Sequence, residues 1–254
     1  MSLPVHWVPS LLGVDAGALV ELTGEEAHHA VAVRRLRVGE PVALTDGAGS
    51  RALGDVEATG KRLLAVRVHQ VEQVAAAQPS FTVVQALPKG ERGELAVELL
   101  TEVGVDRIVP WAAQRCVVQW RGERATKSQG RWVATSREAA KQARRAWFPQ
   151  VDTLADTAQV GELLAGADLA LILHEEATTP LARLQVPAQG SVVLVVGPEG
   201  GIGPEELAVL TGLAGSDPAG GRVHTVRLGA EVLRTSTAGA VAAGALMART
   251  DRWG

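Results

Sequence analysis

A chain of 254 residues, 46% hydrophobic and 21% charged, is long enough for one large domain or two smaller ones and too apolar to be disordered. A net charge of −3 excludes a global basic field for holding nucleic acid, and a single cysteine, Cys116, excludes an intrachain disulfide or a thiolate metal cluster. No run of about 18 apolar residues is present to span a bilayer, and the opening MSLPVHWVPS lacks the basic-then-apolar pattern of a signal peptide, so a cytoplasmic protein is expected.

To about Ala76 the chain reads as short strands separated by turn signals. VALTDGAGS (42–50) is a strand-like run ending in an Asp-Gly turn. In LLAVRVHQVEQV (63–74), Leu64, Val66 and Val68 fall on one side and Arg67 and His69 on the other, the period of a half-buried strand. A small β-rich domain is predicted over 1–76, with 75–80 as linker. From Phe81 the rhythm changes. FTVVQAL (81–87) and RIVPW (107–111) read as strands, and 91–103 carries a helical apolar stripe at 95, 96, 99, 100 and 103. Residues 128–146 read as a long basic helix. The window 121–145 holds eight Lys/Arg against two acids, Glu123 and Glu138, a local patch fit for a polyanion although the whole chain is slightly acidic. LALILH (169–174) and SVVLVVG (191–197) are continuous apolar runs, as buried parallel strands require. A helix over 204–213, a strand over 223–228 and a helix over 235–249 complete the pattern. Alternating strands and helices predict an α/β domain over 80–254, its parallel sheet covered on both faces.

Two loops carry the sharpest chemical signals. VVLVVGPEGGIGPEEL (192–207) runs from a buried strand through four glycines to Pro204 at a helix start. Ligands in open α/β sheets bind beyond the carboxyl ends of strands, where glycine lets them approach the backbone. A structural turn with an ordinary charged first helical turn would look the same. The loop is neither a P-loop nor G-x-G-x-x-G. Glu199, Glu205 and Glu206 around the helix start would repel a diphosphate but not a phosphate-free sulfonium. In VRLGAEVLRTSTAGAVAAGAL (226–246) a strand ends at Leu228-Gly229, and Thr235, Ser236 or Thr237 can cap an Ala-rich helix. Arg234 at that junction is either a cation serving chemistry or a solvated surface arginine. Among the remaining candidates, His28-His29 has no partner at ligand spacing, so no metal is expected. Cys116 reads as a small buried residue. Trp132 and Trp147 either stack on bases or fill the core.

Together the two loops resemble those of the SPOUT methyltransferases, whose sheet contains a trefoil knot. The chain as a whole is similar to the RsmE family of 16S ribosomal RNA uracil-N3 methyltransferases. HHAVAVRRLRVGE (28–40) with DGAG (46–49) resembles that family's PUA-like RNA-binding domain. QALPKGERGELAVELLTEVGVDRIVPW (85–111), RCVV (115–118), RWVATSREAAKQARRAWFPQV (131–151), GPEGG and LGAEVLRTSTA follow in the family's order. The resemblance implies a trefoil-knotted parallel sheet preceded by a small β-barrel, PUA-like domain. It implies S-adenosylmethionine-dependent methylation of a decoding-site uridine in the small ribosomal subunit, by a homodimer joined through the knotted domain. The cofactor would lie bent among Leu173 and His174; Gly197, Glu199, Gly200, Gly201 and Ile202; and Leu228, Gly229, Leu233 and Thr235. Arg234 is the candidate catalytic cation, with Glu199 and Glu231 as candidate bases. Arg34, Arg35, Arg37, Arg131, Arg137, Lys141, Arg144 and Arg145 would grip RNA phosphates.

The sequence departs from the family pattern at Arg34, where Leu is frequent, at Ala143, where Ser is frequent, at Ala230-Glu231, where Pro-Arg is frequent, and at Ser236, where Glu is frequent. Roles of those side chains are not carried over. Two other readings stay open: a non-catalytic RNA-binding protein that retains the fold, and a small-molecule α/β enzyme using a nucleotide cofactor. Selective thermal stabilisation by adenosylmethionine, by NAD or by neither separates them.

Overall fold

The structure, a computed structural model, describes residues 3–213 and 223–253. The chain separates into two compact units, Met1–Ala76 with Ala140–Phe148, and Ala77–Ala139 with Pro149–Gly254.

The first unit contains β1 (Val5–Trp7), β2 (Leu19–Thr23), α1 (Gly24–His28), β3 (Pro41–Thr45), β4 (Ser50–Gly60) and β5 (Leu63–Gln73). A π-helical turn, His29–Val33, continues α1. The strands form one sheet in the order β1-β3-β4-β5-β2, antiparallel except for the β1–β3 pair. The period-two reading of β5 holds: Leu64, Val66 and Val68 are buried with Val42, Leu44 and Val56, while Arg67 and His69 turn outward to Glu57 and Asp55. The Asp-Gly turn joins β3 to β4. Asp46 Oδ1 accepts from the amides of Ala48 (2.8 Å) and Ser50 (3.0 Å), which fixes the turn. Gly47 and Gly49 have φ of +72° and +100°, and Cβ atoms there would lie 2.7 Å from Phe148 and 2.5 Å from Trp147. Glycine is needed twice over, because the segment 146–148 lies directly on this turn.

That segment is fastened by a buried polar cluster. Lys141 Nζ lies 2.8 Å from Glu26 Oε2, and His6 Nδ1 lies 3.3 Å from Glu26 Oε1. Burial alone would push the Glu26 carboxyl up. Hydrogen bonds from His6 and Lys141, the Lys141 charge and the Trp7 amide override it and hold the group down at about 2.

The second unit contains β6 (Ser80–Ala86), α2 (Arg92–Val103), β7 (Arg107–Trp111), α3 (Glu123–Gln142, its last residues in the first unit), β8 (Gln150–Val151), α4 (Thr157–Ala165), β9 (Leu169–Leu173), β10 (Ser191–Val196), α5 (Pro204–Leu213), β11 (Val223–Val226) and α6 (Thr235–Met247). Its six strands are all parallel, in the order β11-β9-β10-β6-β7-β8. Alternate residues serve opposite faces. Phe81, Val83, Leu171, Leu194 and Val196 pack with α2 and α6, while Val84, Ile172, Val193 and Val195 pack with α4 and α5. The small residues of α6 permit its close seat: a Cβ on Gly239 would lie 3.1 Å from both Leu100 and Val196.

Several boundaries differ from expectation, among them the end of α6, which stops at Met247 and not at 249. The basic helix starts five residues earlier than 128 and stops at Gln142, not 146. Arg144 there adopts φ +56°, and the Arg145 amide donates to Ala140 O at 2.9 Å, closing the helix in a left-handed turn. The strand expected to Leu228 ends at Val226, so Leu228 is free to line a loop. α4 is additional, opened by a capping box between Asp156 and Gln159. No helix among the described residues is long and apolar enough to cross a membrane.

Candidate active site

β10, β9 and β11 lie side by side with Val196, Leu173 and Val226 in register, so three neighbouring strands end level. The loops that leave them enclose a cavity of about 650 Å³. Leu173 and His174; Gly197, Glu199, Gly200, Gly201 and Ile202; and Leu228, Gly229, Leu233, Arg234 and Thr235 all line it. Three segments separated by tens of residues thus converge on one crevice beyond the carboxyl ends of a parallel sheet.

Each loop is held by its own contacts. In the glycine loop, Gly201 has φ +70° and its amide donates to Pro198 O at 2.9 Å. Glu199 Oε1 accepts from the Lys89 amide (3.1 Å) and lies 4.0 Å from Arg92. Arg115 donates from Nη1 to Gly200 O at 3.0 Å. The first loop is tied to the chain after β11 by paired amides, Arg227 to Thr179 O and Leu181 to Arg227 O. The His174 amide donates to Val226 O, and its ring Nδ1 accepts from the Glu176 amide, which places the neutral ring's proton on Nε2. Arg234 precedes α6, is exposed, and makes no side-chain capping bond.

The expected carboxylate cluster does not form. Of Glu199, Glu205 and Glu206, only Glu199 lines the cavity. Glu206 turns inward and is 5% exposed, with Oε1 accepting from the Gln114 amide and the Thr157 hydroxyl. Glu205 faces solvent. Adjacent positions on a helix point about 100° apart, so neighbours in sequence need not share a site. The cavity instead carries mixed charge: Arg92, Arg115, Arg227 and Arg234 with Glu175, Glu176, Glu199 and Glu231. Arg92 and Arg115 were not among the expected residues, and no local pattern distinguishes either from a surface arginine.

The expected phosphate-binding residues fall in both units. Arg34, Arg35 and Arg37 are exposed beyond the π-helical turn, with Arg35 at φ +58°, a conformation rare outside glycine. Arg144 is exposed, and half-buried Arg145 donates from Nε to Trp147 O at 2.8 Å. In the second unit, Arg131 is exposed 3.4 Å from Glu94, and Arg137 is half-buried. Lys141 departs from expectation. It is 8% exposed and bound to Glu26, so its ammonium serves the fold and not a phosphate. Trp132 is core, and Trp147 covers the Gly47–Gly49 turn while donating to Val74 O. Burial pushes the Cys116 thiol up, against a nucleophilic role. Among the described residues, no group of three or more His, Cys, Asp or Glu is placed to hold a metal ion.

This geometry agrees with what the chain is similar to. A family model described as an RNA methyltransferase domain matches residues 76–247, and one described as an RNA methyltransferase PUA domain matches residues 22–68. The fold is therefore that of an RNA methyltransferase, with a PUA-like unit preceding a parallel α/β unit in the chain. Ribosomal RNA small subunit methyltransferase E of Mycobacterium bovis and of Mycobacterium tuberculosis are each 48% identical over 243 residues, covering 94% of this chain and 90% of the relative. The Bacillus subtilis protein of that name is 27% identical over 94% of this chain and 93% of its own. The chain belongs to the ribosomal RNA small subunit methyltransferase E family. Among solved structures, a Legionella pneumophila protein in complex with the bound cofactor SAM is 29% identical, with a TM-score of 0.84 over 98% of this chain and 99% of that one. The Neisseria gonorrhoeae ribosomal RNA small subunit methyltransferase E shares the fold, with a TM-score of 0.85, 24% identity and 98% of both chains covered.

Proposed function

We propose that the cavity at the ends of β9, β10 and β11 holds S-adenosylmethionine, and that the enzyme methylates uracil N3 of a decoding-site uridine in 16S ribosomal RNA. The observation that carries this reading is the convergence of three loops and Arg234 on one crevice, in a chain whose Legionella relative holds SAM. The residues present fit the donor. About 650 Å³ lies within the range of small-ligand sites. Leu173, Val196, Ile202 and Leu228 offer apolar walls, and the glycines bare backbone groups for an adenine edge. The mixed arginines and glutamates suit a zwitterionic amino-acid end beside a sulfonium. When bound, the donor supplies an electrophilic methyl group.

The remaining steps belong to the chain. Uracil N3 bears a proton, so its attack requires a base within hydrogen-bond reach and stabilisation of the charge that spreads to the ring oxygens. Arg234 is assigned to that charge. Glu231, exposed on the loop and lining the cavity, is the better candidate base, because Glu199 is engaged by the Lys89 amide. N3 lies on the Watson–Crick edge, so the target must be unpaired and turned out. We assign RNA phosphates to Arg34, Arg35, Arg37, Arg131, Arg137, Arg144 and Arg145. The RNA-gripping domain would be 1–76 extended by 140–148, and the catalytic domain 80–254 without that segment. The sheet order, with β9 between β10 and β11 and α6 returning over β10 and β6, supports the trefoil-knotted reading. Exposed Leu95 on α2 and Val241 on α6, two helices that pack together, support a homodimer through this unit. A ribosomal RNA substrate supports a cytoplasmic location.

Mapping methylation of small-subunit RNA from cells with and without the protein tests the reading. Loss of one 3-methyluridine at the decoding site is expected. An unchanged methylation pattern contradicts it.

A further inference from the structure

A second cavity, of about 310 Å³, lies in the same unit, walled by the chain after β6, the first turn of α2, the segment 118–120 and the first half of α3. Arg92 lines the larger cavity and Gly93 the smaller, so the first turn of α2 separates the two. Its volume sits at the lower end of small-ligand sites. That is too small for a helix or a second chain and of a scale for one nucleotide.

Its floor is built. A Cβ on Gly93 would lie 2.9 Å from Trp132 Nε1, so only glycine lets this 2% exposed indole tuck beneath α2. Trp120 stands edge-to-face against Trp132, with ring centroids 5.0 Å apart and planes at 79°. Trp120 is half-buried and also lines the cavity, a rigid aromatic platform seated on the core.

Its rim is cationic. Arg131 is compensated by Glu94 at 3.4 Å. Arg124 and Lys127 are exposed and, among the described residues, have no hydrogen-bond or ion-pair partner. They lie three apart near the start of α3, where like charges repel and the helix dipole opposes cations. Both effects work against the helix and favour an anion there. We infer that this cavity binds one nucleotide of the substrate RNA, its base against Trp120 and its phosphate on Arg124 and Lys127. The inference rests on the proposed RNA substrate and adds to it a pocket for a single nucleotide outside the methyl-transfer cavity.

The test uses the full chain and a single-stranded RNA oligonucleotide carrying the target loop. Binding is followed by fluorescence anisotropy over a salt series, alongside methyl-transfer kinetics and calorimetric adenosylmethionine affinity. Arg124→Ala combined with Lys127→Ala should weaken RNA binding about tenfold and flatten the logarithmic salt slope by about 0.7 for each phosphate released. Trp120→Ala should weaken binding by about tenfold or more at an unchanged slope, and Trp120→Phe should restore it, as stacking requires. In each variant KM for RNA should rise while kcat at saturating RNA and adenosylmethionine affinity hold. Unchanged RNA affinity in the charge variant overturns the site. So does an affinity loss that leaves its salt slope unchanged, or a Trp120→Phe variant as weak as Trp120→Ala. If the variants lose RNA affinity as expected while wild type transfers no methyl group, the nucleotide site stands and the methylation reading fails.

Discussion

Immediately before α6, where the free amides of a helix favour an anion, the chain places the cation Arg234. A residue that serves its helix would carry the opposite charge, so capping does not account for this arginine, and we propose that the cavity does. Arg234→Ala should lower the methyl-transfer rate about 10²- to 10³-fold, the scale of losing one transition-state donor, with adenosylmethionine affinity within about twofold. A wild-type rate dismisses the assignment. Lys141 shows where residue-level reading stops. Its place in a basic run marks it as a phosphate ligand, but its partner, Glu26, lies 115 residues upstream and no local pattern links the two. The Glu26 carboxyl falls from 4.5 to about 2 on folding, which corresponds to about 3 kcal/mol. Because the folded value is the lower, that stability is fully present above about pH 4.5 and is lost as pH falls towards 2. Glu26→Gln leaves the Lys141 charge buried without its carboxylate and should destabilise by about 3–5 kcal/mol at neutral pH. It should also remove this acid limb from a denaturant-midpoint series. An unaltered midpoint refutes the role of the cluster.

Elements were legible where burial imposes a pattern. β9 and β10 announce themselves as unbroken apolar runs because both of their faces are covered. β5 does so by alternation in its middle, where Val66 and Val68 are buried while Arg67 is half-buried and His69 meets solvent. The stop of α3 was not legible. Glycine or proline normally marks it, and here Arg144 takes the left-handed turn itself. α4 was legible in principle from Asp156 and Gln159 at capping-box spacing, but nine residues give a short stripe. The β3–β4 turn illustrates a motif whose reason appears only in three dimensions. DGAG looks like any hairpin turn, yet Gly47 and Gly49 admit Phe148 and Trp147. Gly49→Ala adds a side chain at φ +100° with Trp147 at 2.5 Å. A loss of about 2–4 kcal/mol in a chemical unfolding titration is expected from strain and overpacking together. No loss would mean that 146–148 does not depend on this turn.

At the scale of the molecule, composition bounded the answer without reaching it. A near-neutral, aromatic-poor α/β chain describes many enzymes, and the parallel sheet alone does not name a ligand. The cavity residues were legible because the two glycine-bearing loops resemble a known family. Their convergence follows from the level ends of β9, β10 and β11, which no single motif encodes. The mixed charge of the cavity was not legible, because Arg92 and Arg115 reach it from distant segments while Glu206 turns away. The membership of 140–148 in the first unit is likewise a long-range fact, set by Glu26, Gly47 and Gly49. If the donor binds only the folded chain, adenosylmethionine at about a hundred times its Kd should add about 2.7 kcal/mol to stability, read as a rise in melting temperature that NAD does not reproduce.

The most direct test is a calorimetric titration of the purified chain with S-adenosylmethionine, repeated on Gly229→Trp. A Cβ at Gly229 meets only Glu231 Oε2, at 3.7 Å, so bulk is added at the cavity wall without straining the loop. One molecule bound per wild-type chain, and none or far weaker uptake by a variant with unaltered melting temperature, is the expected result. No heat from the wild type, or equal binding by the two proteins, would contradict the placement of the methyl donor among these loops.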